Sequence, residues 1–182
     1  ECENLKNEGI FCLDQYSIES IYYHPYLQQK VYLKKAELEG EAEIKSPESF
    51  IEELLEIFTQ HKERLCNRLI EKTVRNKFES KIPTLQIIST QSSYEISINL
   101  EEIRNIEGLL INQAIQNRDI ELLLMRYPIR ETQALDCIRK NLGFQSKSRY
   151  ETTVIQILKK DEEALEFVRS YFVDLITQIS VT

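Results

Sequence analysis

Apolar residues recur at three- and four-residue steps across one long stretch: Phe50, Ile51, Leu54, Leu55, Phe58, Leu65, Cys66, Leu69, Val74 and Phe78. That spacing lays a continuous apolar stripe along an α-helix, and nothing interrupts it until the bias against helical backbone just before Pro83. A helix of about thirty residues is long against the three or four turns of an ordinary globular helix. It is therefore expected to act as a spine on which other helices pack, or as one arm of a helical hairpin with a partner chain. Its start is marked as well, since Ser46 offers an N-cap and Pro47 suits the first helical position.

The rest of the chain agrees with a mainly helical fold. With only 4 Gly and 4 Pro in 182 residues, turns of the kind an all-β sandwich needs are scarce, and the 29% charged residues fit amphipathic helices. Ile18, Ile21, Tyr22, Leu27, Val31 and Leu38 suit one helical face interrupted near Pro25. Leu100, Ile103, Ile106, Leu109, Leu110 and Ala114 mark another helix with Asn99 as its cap, and Asp119 caps "IELLLMRY", which ends at Pro128. Ala134, Leu135, Ile138 and Leu142 share a face that stops at Gly143, a C-cap. Two more helices follow, in "SRYETTVIQILKK" and from Asp161 onward. Between Pro83 and Leu100, "TLQIIST" and "SYEISIN" are β-branched and partly alternating, so a short hairpin over 84–98 is expected, with extension of a helix through the first run as the alternative.

Composition also narrows the function. A formal charge of −7 disfavours non-specific nucleic-acid binding by the whole surface and confines any such site to a local patch. One patch stands out: residues 62–81 carry Lys62, Arg64, Arg68, Lys72, Arg75, Lys77 and Lys81 against Glu63, Glu71 and Glu79, a net +4. Arg68, Lys72 and Arg75 are its candidate phosphate contacts. The same distribution has a structural reading, because Glu48, Glu52, Glu53 and Glu56 occupy the helix start and bases toward the end complement the macrodipole. No aromatic residue is interleaved on the basic face for base stacking. Cys2, Cys12, Cys66 and Cys137 lie far apart without CxxC spacing, so free thiols are expected rather than zinc or a disulfide framework. No apolar run approaches a membrane span and the first residues are unlike a signal peptide, which points to a cytoplasmic protein with no membrane partner.

No P-loop, GxGxxG, HExxH or GxSxG occurs. The remaining chemistry sits near the start, in "GIFCLDQYSIESIYYHP", Gly9 to Pro25. Ile10 to Leu13 reads as a short strand delivering a helix. Asp14 and Glu19 then follow the strand within six residues, and carboxylates just past the C-terminal end of a strand are a common way to hold Mg²⁺. The competing reading makes Asp14 a loop or cap residue and Glu19 a solvated acid in a first helical turn. His24, next to Pro25, is either a structural hydrogen-bonder or an acid–base group.

This opening segment resembles TOPRIM-like domains of bacterial ATPase-linked proteins of the overcoming-lysogenization-defect type, where a strand leads into a helix beginning with a pattern such as "SIES" before aromatics. The stretch "RYPIRETQALDCIRKNLGFQSKSRYETTVIQILKKD", Arg126 to Asp161, is similar to helical C-terminal tails of that group. The resemblance covers the two ends better than the middle. It implies an ATPase and TOPRIM region upstream, a Mg²⁺-dependent nuclease activity associated with phage defence, and nucleic acid as a partner of the full-length protein. In the family a glutamate and an Asp-x-Asp pair carry the metals; both would precede Glu1, and Glu19 alone matches an acid position here, as a metal ligand or an orienting group. Two-metal hydrolysis needs several carboxylates, so the chain alone is expected to be catalytically silent and to bind Mg²⁺ only weakly.

The expected architecture is thus mainly α within an α+β class: a helical bundle with a long spine helix and a few short strands. Residues 1–45 would end a TOPRIM-like α/β sheet and 46–182 would form the helical C-terminal region. The first residues, read as a helix end capped by Gly9, suggest a piece of a longer protein. The alternative to this reading is a function of another class: a non-catalytic helical interaction or dimerisation domain, a homo-oligomer included, whose long helix docks on an ATPase or on another copy of itself.

Overall fold

A computed structural model describes residues 16–39, 44–173 and 176–177. Nine helices occur among them: α1 (Ile18–Tyr22), α2 (Pro25–Glu39), α3 (Ile51–Glu79), α4 (Leu85–Thr90), α5 (Leu100–Gln116), α6 (Ile120–Arg126), α7 (Ala134–Asn141), α8 (Lys147–Leu158) and α9 (Glu162–Ser170). Single 3₁₀ turns, Pro47–Phe50 and Ile129–Glu131, lead into α3 and α7.

The spine is α3. It packs against α5, α6 and α7, while α8 joins α2, α7 and α9 to the other side of the same core. Phe50, Leu54, Phe58 and Leu65 of the spine region are buried together with Leu27 and Val31 of α2, Ile111 of α5, Leu123 and Leu124 of α6, Ile138 of α7 and Val154 of α8. Three aromatic rings lock α8 in place: Tyr150 stacks on Tyr23 at 4.6 Å, meets Phe144 edge-on at 5.5 Å, and its hydroxyl donates to the Tyr22 carbonyl at 2.9 Å.

Local sequence signals set most helix ends. Side chains of Asn99, Asp119, Ser146 and Asp161 accept from backbone N–H groups three residues on, the usual N-cap bond. Gly143 ends α7 with φ +73°, its N–H donating to Lys140 O and the next N–H, of Phe144, reaching back to Arg139 O. That is the Schellman arrangement, open to glycine because it carries no Cβ. A Cβ at this position would also stand 2.9 Å from both Ile44 Cγ2 and Lys35 Nζ. Ser46 makes no side-chain cap; its carbonyl instead accepts from Ser49 Oγ at 2.7 Å within the 3₁₀ turn.

One expectation is corrected. No strand occurs among the described residues, and the hairpin expected over 84–98 is the helix α4 followed by an irregular segment up to Asn99. β-branched runs make strands where one face of a pleated surface is half-buried, and here there is no core to supply that face. The hydroxyls of Ser89 and Thr90 instead donate back to the Gln86 carbonyl, at 2.9 and 2.8 Å, and hold a single helical turn and a half. The strand expected at Ile10–Leu13, and with it the sheet the resemblance implies, lies outside the described residues.

The helix expected from Leu100, capped by Asn99, is α5. Its buried face is Ile103, Glu107, Ile111 and Ala114, whereas Leu100, Ile106 and Leu109 are exposed. The helix is apolar on two sides, and α3 covers only one of them.

Three contacts fix α3 and α5 as an antiparallel hairpin: Arg118 pairs with Glu52, Lys62 Nζ donates to Asn112 Oδ1 at 2.6 Å, and Lys81 Nζ donates to the Ser97 carbonyl. The last buried residue of α3 is Leu69 and the first of α5 is Ile103. At 1.5 Å rise per residue, α3 therefore runs about 15 Å past its last core contact. Phe78, placed on the core stripe by its spacing, is out on this extension and 49% exposed.

Candidate functional site

Glu19 lies in the first turn of α1, its side chain largely buried between α1, the 3₁₀ turn at Ile129–Glu131 and α8. Its carboxylate contacts Arg130 and lies 3.2 Å from Lys147 Nζ, which in turn sits 3.7 Å from Glu151. The arrangement is a charge-balanced cluster joining three separate stretches of chain. Asp14, the other sequence candidate for metal, lies outside the described residues. Among the described residues, no three His, Cys, Asp or Glu side chains converge on one point in the manner of a metal site.

Arg68, Lys72 and Arg75 do come together. They line a shallow groove of about 370 Å³ with Tyr16, Glu71 and Glu131. Glu71 bridges Arg68 at 3.1 Å and Arg75 at 3.2 Å, Glu131 takes Arg68 at 3.1 Å, and the Lys72 ammonium stands over the Tyr16 ring at 4.8 Å. The two guanidinium groups are thus already engaged by carboxylates, one of them delivered from the turn before α7. The spacing of bases along α3 is legible in sequence; Glu131 as a partner is not, because it comes from sixty residues downstream.

His24 sits between α1 and α2, 4% exposed. The Tyr26 amide donates to Nδ1 at 3.1 Å, Nε2 lies 3.3 Å from Glu121 Oε1, and the ring packs at 4.6 Å on Phe167 of α9. Burial pushes its pKa below the ordinary value, against the opposing pull of Glu121. The other histidine, His61, meets Gln133 at 2.6 Å on the surface.

A buried ion pair escaped the sequence reading. Glu107, 4% exposed, receives Arg126 NH2 at 2.6 Å and so ties α5 to the end of α6. The signal was present: Glu107 lies midway between Ile103 and Ile111, an acid inside the helix face that turns inward. Free thiols are Cys66 and Cys137; burial raises the latter's pKa to about 11, with Glu53 adding to the effect. Cys2 and Cys12 lie outside the described residues.

The largest feature is the end of the α3–α5 hairpin. No residue from 70 to 102 is buried, and Phe78, Ile82, Leu85, Ile88, Tyr94 and Leu100 are all between 47% and 82% exposed. No helix among the described residues is long and apolar enough to cross a membrane. Compared with known proteins, the chain matches no protein-family model, no curated protein and no solved structure.

Proposed function

We propose that this chain is a non-catalytic helical interaction domain, and that the end of the α3–α5 hairpin is its binding surface. One observation carries the reading: 70–102 forms helices and a connection without a single buried side chain, while six large apolar residues lie open there. A segment this poor in core contacts has little of its own to offset the entropy of being ordered, and apolar surface gathered in one place marks contact sites. The bundle behind it, with its aromatic lock and capped helices, serves as the rigid base.

The Mg²⁺-dependent nuclease reading rests on the resemblance at Gly9–Pro25 and on Glu19. Against it stand the engagement of Glu19 by Arg130 and Lys147, and of Arg68 and Arg75 by Glu71 and Glu131. A metal at Glu19 would have to share the carboxylate with two cations already placed on it.

The test is in-cell photo-crosslinking with a photoreactive residue at position 85 or 88 and, as control, at the exposed position 160. Discrete adducts from 85 and 88 and none from 160 are expected. If neither 85 nor 88 gives an adduct, the surface is not an interaction site.

A further inference from the structure

We propose that the occupant of the hairpin end is a second copy of this chain, paired across a twofold axis; the inference rests on the interaction reading and names its partner. A twofold interface brings one patch against itself, so the patch must be self-complementary in charge as well as apolar at its centre. The hairpin end meets both conditions.

On the α3 side, residues 71–81 hold Lys72, Arg75, Lys77 and Lys81 against Glu71, which pairs with Arg75, and Glu79, a net +2. On the α5 side, residues 95–102 hold Glu95, Glu101 and Glu102 and no base, a net −3. The Lys81 to Ser97 hydrogen bond holds these two flanks side by side, and the apolar residues 78, 82, 85, 88, 94 and 100 lie along and between them. A twofold rotation sets the basic flank of one copy on the acidic flank of the other and closes the apolar centres together. A lipid surface or a nucleic acid would meet only the basic flank and be repelled by the acidic one.

The area agrees. At the exposures observed, the six residues together expose on the order of 600 Å². Burying that area on both copies removes about 1,200 Å², where specific protein interfaces begin. Ile106 and Leu109, on the uncovered side of α5 and 49% and 58% exposed, are placed to extend the contact along the helix.

Sedimentation velocity on the whole chain, over about 1 to 100 µM to span the affinities of an interface of this size, tests it. The expected result is a dimer that dissociates on dilution and with added salt. Lys77→Glu and Glu95→Lys, both exposed, should each weaken dimerisation about tenfold or more, since each change enters twice and lowers the charge contrast between facing flanks by two units each time. Leu85→Glu with Ile88→Glu should give a monomer with unchanged circular dichroism. A monomer throughout the range, or a dimer indifferent to all these changes, overturns the proposal. In-cell adducts at 85 and 88 containing a different protein would then leave the interaction reading standing and the twofold pairing refuted.

Discussion

His24 shows how one residue ties the bundle to proton concentration. With Nδ1 accepting from the Tyr26 amide, the neutral ring carries its proton on Nε2, toward Glu121. Burial lowers its pKa, so the folded chain takes up this proton less readily than the unfolded chain, whose histidine titrates near about 6.5. Stability is therefore full above that value and falls as the pH drops through it, by at most about 1.4 kcal/mol per pH unit until the folded-state pKa is reached. Urea unfolding between pH 7.5 and 5.5 should show this loss in the wild type and a nearly flat profile in His24→Gln. A wild-type profile as flat as the variant's would mean the ring protonates in place. The carboxylates of Glu53 and Asp161 are held low, chiefly by Asn141 and by the Ala164 amide respectively, and their contributions disappear only in more acid solution.

Among the elements, α3 is two helices in one. Its first part places Leu54, Leu55, Phe58, Leu65 and Leu69 in the core; its last ten residues place none. Protection against hydrogen exchange follows burial and packing rather than helical geometry alone. Amides of 55–69 should therefore exchange at rates close to global unfolding, and those of 73–79 and of α4 at least about 100-fold faster in the monomer. Mass-spectrometric exchange at low protein concentration measures this directly; equal protection along the whole of α3 would refute the division. Raising the concentration should slow exchange in 73–102 selectively if the twofold pairing holds.

For the whole molecule, the balance of charge decides what it meets. The net charge is −7, and the basic groove along α3 is already shared with Glu71 and Glu131. Fluorescence anisotropy with a labelled duplex at low salt should show binding weaker than about 1 µM that is unaffected by Lys72→Glu. Tighter binding that this change weakens, with the salt dependence of log K flattened by about 0.9 per lost charge, would make the groove a phosphate site.

How much of this was legible beforehand differs by range of interaction. Helices, and the caps at Asn99, Asp119, Asp161 and Gly143, are written in residues within a turn of one another, because a capping side chain or a residue at positive φ acts on its own backbone. The length of α3 followed from its apolar spacing for the same reason. What spacing alone could not say is which apolar residues find cover. Phe78 and Leu69 belong to one stripe, yet only Leu69 is buried; α5 has two apolar sides, and the position of α3 decides that Ile111 is buried while Ile106 is not. Likewise the bases of α3 were visible, but Glu131, and the Arg130 and Lys147 that engage Glu19, arrive from distant stretches of chain. Periodicity and local caps by themselves determined the helices other than α4 and most of their ends; the tertiary structure decided which faces are covered and which charges are balanced, because burial and ion pairing depend on neighbours that folding alone brings together.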